Sequence, residues 1–409
     1  MLAYGGSVVT NRGARAHAQA GVTFEQLGLH RRGALLALDG VVAAVGDEAE
    51  VRAAYHAQDE RRRREVVELD LAGRVLLPGF VDAHAHPLYM GDREPDFVAR
   101  THGDPPPLGA AYTIERTRAA GQAQLEETLA GHLRTMLLHG TTSAEVKTGY
   151  DLRIDGELAL LRTIVRTGRR GGMPRVVPTL TGPHAHAPEY PDDDAFVDAL
   201  IAGAVPYARA AGAVYADAFC EPGWFTVAQA RRYLVAAREH GLRLRLHCDE
   251  FADAGAAALA AELAVDAADH LNAMAPASIP ALARAGTVAV LCPATAWHMG
   301  VKEPAPARAM LEAGMQVALA TDFNPGTAPS PSLQMAAHLG RRLLRLTAAE
   351  ALAGVTSAAA HSLRLDAGTL EPGACADAVV MEMHEAREFG WIFGANLAAA
   401  VVRAGEIIG

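Results

Sequence analysis

Cysteine is scarce. The 409 residues hold four, Cys220, Cys248, Cys292 and Cys375. They lie far apart and form no CxxC pair, which points to reduced, mostly buried thiols in a cytoplasmic protein. Long apolar runs are missing too: none reaches the length of a membrane span. The stretch "MLAYGGSVVTNRG" lacks the basic and apolar regions of a secretory signal, which again leads to the expectation of a cytoplasmic protein. Basic charge is in deficit, with 37 Lys and Arg against 47 Asp and Glu and a net charge of -10. Nucleic acid is therefore excluded as the main partner. The basic run Arg61–Arg64 is flanked by acids in "DERRRREVVELD" and reads as a solvated linker or helix face.

What is present is ample apolar material: 50% of the residues are hydrophobic, enough for one large domain and a smaller one. The two ends share a texture. "GSVVT", "ALLALDGVVAAVG" and "REVVELDLAGRVLL" near the start, and "GTLEPGACADAVVMEM" and "AAAVVRAGEIIG" near the end, are short strands around turns. Asp39-Gly40 and Ala404-Gly405 sit at hairpins. Neither end can cover itself, so both are expected to form one small β-sandwich domain, residues 1–75 plus 363–409. Between them, 76–362 alternates strand-like and helix-like segments. Leu125, Leu129, Leu133, Met136 and Leu137 mark one helix, which Gly140 stops. Thr226 with Gln229 and Thr347 with Glu350 form capping boxes.

Eight strand-like segments can be counted: "VLLPGFVDAHAH", "GTTSAEVKTGY", "RVVPTLTGPHAH", "VYADAFCEP", "LRLRLHCDE", "AVDAADHL", "TVAVLCPAT" and "VALATDFNPG". Eight alternating units of this length predict an α/β fold, a (β/α)8 TIM barrel. An open doubly wound sheet would want a Gly-rich phosphate loop after its first strand, and none is there. Each strand ends in a polar cluster, and such a barrel gathers its strand C-termini around one site.

Alternate residues of a strand share a face. His84 and His86 therefore point together, as a chelating pair can. His247 ends the fifth strand on the same side as Arg243 and Arg245, and Asp322 ends the eighth. Three imidazoles and a carboxylate suit Zn2+ or Fe2+ and leave room for a water. Taken singly, His247 also reads as a core histidine and Asp322 as a turn cap; together at strand ends they read as one metal site. A divalent ion lowers the pKa of bound water toward neutrality. Asp322 is then placed to take the proton and pass it to a leaving group. His270, behind Asp269, serves either to stabilise an oxyanion or as a structural histidine. The fourth strand ends "FCEP" without a lysine, so one metal is favoured over two, and Lys147 reads as an ion-pair partner.

"LPGFVDAHAH", "LHCDE", "DHL", "ATDFNPG" and "GTLEPGACADAVV" resemble the amidohydrolase superfamily. "MGDRE", "GTTSAEVKTGYDL", "TGPHAHAPEY", "DAFCE", "HCDEF", "ATDFNPGTAPS" and "FGANLAAAVVRAG" are similar, over nearly the whole chain and in order, to the imidazolonepropionase family of histidine degradation. The resemblance implies hydrolysis of the ring C–N bond of 4-imidazolone-5-propanoate to N-formimidoyl-L-glutamate. It implies one Zn2+ or Fe2+/Fe3+ on His84, His86, His247 and Asp322, and a homodimer. It assigns substrate contacts to Arg93, Tyr150, His184 and Glu250, and product contacts to Asn324, Gly326 and Thr327. Arg93 can pair bidentately with a carboxylate; its other reading is a surface ion pair with Asp92 or Glu94. Tyr150 also reads as loop packing and Glu250 as a helix N-terminal acid. Asn324 with the backbone of Gly326 and Thr327 suits a carboxylate-binding turn. Two stretches, 94–112 and 293–300, depart from the family pattern; Tyr112 is a candidate for a tyrosine the family carries there.

Two other functions fit the same barrel. One is an aminohydrolase that deaminates a heterocyclic base such as guanine or cytosine; Arg93 and "NPGT" speak for a carboxylate-bearing substrate instead. The other is a non-catalytic binding module, against which the complete ligand set speaks.

Overall fold

The structure, a computed structural model, describes residues 1–13 and 18–408. Its strands fall into two sheets. From the N-terminal end come β1 (Leu2–Val9), β2 (Leu29–Leu38), β3 (Val41–Asp47), β4 (Glu68–Asp70) and β5 (Val75–Pro78). The middle of the chain supplies β6 (Phe80–Asp82), β7 (Thr141–Lys147), β8 (Arg175–Thr181), β9 (Tyr215–Asp217), β10 (Phe219–Cys220), β11 (Arg243–Cys248), β12 (Ala267–His270), β13 (Val288–Leu291) and β14 (Val317–Leu319). The tail adds β15 (Ala378–Met381), β16 (Ala398–Arg403) and β17 (Glu406–Ile408).

Both termini build the first sheet, in the order β17-β16-β15-β5-β1-β2-β3, with β4 on β1. Its hairpins turn where the sequence suggests. Asp39 and Gly40 have φ of 53° and 80°, and Ala404 and Gly405 have 50° and 79°, the left-handed pair that a two-residue hairpin requires. The sheet curls back on itself: Val42 N donates to Ala374 O and Ala376 N to Gly40 O, both at 2.9 Å. Val8, Leu35, Ala378, Val380 and Val402 pack into one cluster between its layers. The strand β5 lies past residue 75, where the sequence pattern divides the chain.

The second sheet is parallel throughout, in the order β6-β7-β8-β9-β11-β12-β13-β14, with β10 continuing β9 alongside β11. It closes where its first and last strands run out: Ala85 bridges Phe323, Asp322 N donates to His84 O at 2.9 Å, and His86 N donates to Phe323 O at 2.9 Å. The barrel is thus sealed by the residues that the sequence marks as metal ligands. On β11, Leu244 and Leu246 join the core shared with the helices, while Arg245 reaches across the barrel interior to Glu145 of β7 and to Asp269 of adjacent β12. Tyr215 Oη and Arg245 Nη1 both donate to Ser362 O, tying helix Ser357–Ser362 to the barrel.

One expectation needs correcting. "VLLPGFVDAHAH" is not a single barrel strand. It breaks at Gly79: β5 pairs with β1 and β15, whereas β6 pairs with β7. A Cβ at Gly79 would lie 2.2 Å from Thr142 Oγ1, so only glycine lets the chain cross between sheets this close to β7. The helix signals match well. Helix Gln122–Leu138 buries Leu125, Leu129, Leu133, Met136 and Leu137, and Gly140 follows at φ 97°. Both capping boxes form. Arg61–Arg64 lie on the exposed helix Glu60–Glu65, where Arg61, Arg62 and Arg64 pair with Glu65, Asp39 and Glu60. Among the described residues, no helix is long and apolar enough to cross a membrane.

Candidate active site

The segments just beyond β6 and β14, with the end of β11 itself, bring four side chains together. His84 Nε2 and His86 Nε2 are 3.3 Å apart, and Asp322 Oδ1 lies 3.5 and 3.6 Å from them. His84, His86 and His247 each offer a ligand atom within 4.8 Å of the others. All four residues are buried. Burial and the neighbouring cations hold His84 and His86 well below the ordinary imidazole range, which favours neutral rings, each with one nitrogen free to bind a cation. Imidazole nitrogens converging on one another and on a carboxylate oxygen are the donor set of a cation. These residues therefore fit a metal ion. Asp322 has φ 51°, and His270, Leu271 and Asp249, also at strand ends, share the left-handed region. Non-glycine residues held there are strained, and such strain gathers at functional sites.

Two buried carboxylates orient the imidazoles. Asp269 Oδ2 lies 2.7 Å from His84 Nδ1, and Asp217 Oδ2 lies 2.8 Å from His247 Nδ1. The first is a hydrogen bond that fixes the tautomer turning His84 Nε2 toward the centre; the second is an ion-pair contact that holds the His247 ring. Thr295 Oγ1 donates to Asp322 Oδ2 at 2.7 Å, leaving Oδ1 for the centre. Burial pushes Asp322 up to about 6. Lys147 is fully buried among Asp217, Glu145 and Asp269, at 2.7, 3.2 and 3.5 Å. It is the ion-pair partner that its sequence position suggests.

Glu250 follows on the β11 loop. Burial, with Asp322 and Glu221 nearby, raises its carboxyl well above the ordinary range, and His270 Nδ1 is 3.7 Å from it. The loop is held by Glu221, whose carboxylate accepts from the backbone of Glu250, Phe251 and Ala252 at 2.9, 3.1 and 2.6 Å. Sequence reasoning placed Glu221 at a strand end but gave it no task. Asp217 was missed altogether, although its in-phase position two residues after Tyr215 on a buried strand was a usable signal.

A cavity of about 280 Å³ opens above the imidazoles. His86, Arg93, Tyr150, His184, His247, Glu250, His270, Asp322, Asn324 and Thr327 line it, and Phe219, Trp224 and Phe251 give it apolar walls. Arg93 is not paired with Asp92 or Glu94. Its Nε donates to buried Asp96 at 2.7 Å, and its guanidinium packs on Gly326. His184 stacks on His86, with centroids 5.2 Å apart, and its Nδ1 donates to Gly149 O at 2.9 Å. Burial lowers it to about 4. Its sequence twin His186 lies outside the cavity, against Asp193 and stacked on Trp224.

Two expectations change in detail. The N–H groups of Gly326 and Thr327 both donate to Asn324 Oδ1 at 2.8 Å. The turn is closed on its own side chain, so those donors do not face a ligand. Tyr112 packs its ring against Gly91 and does not line the cavity; Ala110 and Ile114 of the same helix do. The two departing stretches meet each other, because Phe97 stacks on His298 with centroids 5.3 Å apart.

Comparisons agree with this architecture. The profile described as "Amidohydrolase family" matches residues 75–408. The chain is 38% identical over 400 residues to an imidazolonepropionase of Solibacter usitatus, covering 95% of this chain and 94% of that one. It is 40% identical to one of Rubrobacter xylanophilus, covering 90% and 88%. Among solved structures, an adenosine deaminase of Xanthomonas campestris with bound zinc superposes with a TM-score of 0.73 at 19% identity, covering 99% of this chain and 92% of that one. A 5-methylcytosine deaminase of Klebsiella pneumoniae gives 0.74 at 16%, covering 100% and 98%. At such identities the structural likeness speaks for the fold alone.

Proposed function

Since the chain belongs to the amidohydrolase family, in its imidazolonepropionase branch, we propose that it hydrolyses the ring C–N bond of 4-imidazolone-5-propanoate to N-formimidoyl-L-glutamate. Arg93 is the observation that carries this reading. Asp96 fixes its Nε, and the rest of the guanidinium borders the cavity. It is suited to a bidentate pair with the propanoate carboxylate, which a neutral base does not offer.

His84, His86, His247 and Asp322 would hold one Zn2+ or iron ion, which supplies Lewis acidity and a water of lowered pKa when bound. Asp322 would receive the proton of that water at its carboxylate and return it to the ring nitrogen as the C–N bond breaks. Water's oxygen ends on the former carbonyl carbon, giving the new carboxylate, and the nitrogen stays with the formimidoyl group. His270 is placed to stabilise the charge that develops on the carbonyl oxygen. Tyr150 would donate to the substrate, His184, whose Nδ1–H is taken by Gly149 O, would offer Nε2 as an acceptor, and Glu250 would hold a ring N–H. The apolar walls of Phe219, Trp224 and Phe251 restrict bulk water.

The deciding experiment is turnover of imidazolonepropanoate, guanine and cytosine, with bound metal quantified in the same sample. Loss of the imidazolone with near one equivalent of metal supports the reading. Ammonia from a base, with the imidazolone untouched, would overturn it.

A further inference from the structure

The chain is rich in arginine and holds only two lysines, Lys147 and Lys302. Lys302 is exposed, whereas Lys147 is fully buried on β7 under the imidazoles. Its neighbours explain why arginine does not serve there. The ammonium sits among three buried carboxylates: Asp217 Oδ2 at 2.7 Å, Glu145 Oε2 at 3.2 Å and Asp269 Oδ2 at 3.5 Å. A compact point charge with three donors fits such a pocket, while a planar fork does not. Arg245, also fully buried, shares two of these carboxylates, reaching Glu145 and Asp269 at 3.1 Å.

The oxygens that Lys147 touches are the ones that matter. Asp217 Oδ2 is the atom 2.8 Å from His247 Nδ1, and Asp269 Oδ2 is the atom 2.7 Å from His84 Nδ1. One ammonium thus spans the two carboxylates that orient two imidazoles from separate parts of the barrel, His84 just beyond β6 and His247 on β11. The backbone joins in, since Lys147 N donates to Ala85 O, between His84 and His86, at 3.0 Å.

We propose that Lys147 is a positioning residue for the metal centre: by bridging Asp217 and Asp269 it sets His84 and His247 in the geometry that binds the ion. This rests on the reading of His84, His86, His247 and Asp322 as the ligand set. Partners one shell out from a metal typically change its affinity 10- to 100-fold when removed.

The test is Zn2+ titration of the apo protein against a chelating dye, with visible spectra of the Co2+-loaded protein, for wild type, Lys147→Met, Asp217→Asn and the double variant. Wild type should bind one equivalent. Lys147→Met should bind Zn2+ roughly 10- to 100-fold more weakly and shift the Co2+ bands. The double variant should lose no more than about threefold beyond the worse single one, because both remove the same bridge. If Lys147→Met does not fold, as judged by circular dichroism, Lys147→Gln keeps a donor without the charge and is read identically. Unchanged affinity and spectrum in a folded Lys147 variant overturn the proposal, as do losses that simply multiply. Wild type that binds no metal overturns the ligand-set reading, and this proposal with it.

Discussion

Gly326→Ala tests the role of Arg93 without touching it. Gly326 φ lies outside the left-handed region, so the backbone there accepts alanine. The added Cβ, however, would stand 2.2 Å from Arg93 Nη1 and 2.5 Å from Cζ, where ordinary contact is 3.4–4 Å. The guanidinium must retreat by more than about 1 Å, or the 324–327 turn must open against the Asn324 bonds that close it. Misplacement of a binding group by about 1 Å can cost on the order of 100-fold. We therefore expect kcat/KM for imidazolonepropanoate to fall about 100-fold, mainly through KM, with metal content unchanged. Removing the group in Arg93→Ala sets the outer limit. A buried, hydrogen-bonded charge pair is worth about 2–5 kcal/mol when one partner is truncated, or about 30- to 5,000-fold at 1.36 kcal/mol per decade. Initial rates over a range of substrate concentrations measure both. A folded, metal-loaded Gly326→Ala with wild-type KM would refute the reasoning, and a wild-type KM in Arg93→Ala would remove Arg93 from the site.

The histidine twins separate cleanly: His184→Ala should lower kcat/KM by at least tenfold, whereas His186→Ala should stay within about 0.5 kcal/mol in urea unfolding and about twofold in rate, as for surface substitutions. Glu221→Ala frees three backbone donors; at about 1–3 kcal/mol for a buried group left unpaired, stability should drop by that order and kcat should fall with the loosened Glu250 loop, read by chemical denaturation and kinetics. Metal removal should lower thermal stability, because free ion at 1,000 times Kd contributes about 4 kcal/mol; scanning calorimetry with and without chelator measures it. Thiol titration of the native protein should find at most Cys375 reactive, since burial pushes Cys220 up to about 12 and Cys248 and Cys292 well above the ordinary thiol range, whereas all four should react in denaturant.

What was legible in the sequence was local or periodic. The hairpins at Asp39-Gly40 and Ala404-Gly405 follow from turn chemistry, and the buried stripe of helix Gln122–Leu138 from its spacing. The inward face of β11 follows from alternation, and with it the convergence of His247 on His84. Three kinds of fact were not legible. The first is where a strand changes partner: nothing local in "VLLPGFVDAHAH" says that Gly79 passes the chain from one sheet to another, because the reason is Thr142 across the gap. The second, apart from what the family resemblance implies, is which of two similar groups faces inward. His184 and His186 share a motif, yet Gly149 O draws one ring into the cavity and Asp193 holds the other outside. Those partners are 35 and 7 residues away. The turn at Asn324 illustrates a third limit: donors that look free in "NPGT" are already taken by the side chain beside them.

The loops around the cavity share one construction. Glu157 accepts from the backbone of Gly149, Asp151 and Leu152, beside Tyr150. Glu221 accepts from residues 250–252, beside the site face of β11. Asp96 accepts from Leu108 and Gly109 while holding Arg93. Asp249 accepts from Ala254, Ala256 and Ala257. Loops normally run through solvent because buried backbone must find partners. Here a buried carboxylate supplies them, so each loop or helix start can press into the barrel mouth with its backbone donors satisfied. Acidic residues that exceed basic ones in the composition are, at this end of the barrel, internal fastenings rather than surface charge. Replacing any of them by its amide keeps the shape but removes the charge, and charge-assisted bonds are roughly twice as strong as neutral ones. Glu157→Gln should therefore loosen Tyr150 and raise KM while leaving metal affinity intact, because Glu157 touches none of the four ligand residues. Weakened metal binding in Glu157→Gln would mean that the loops and the metal centre are mechanically one unit, contrary to the separate carboxylates that hold them.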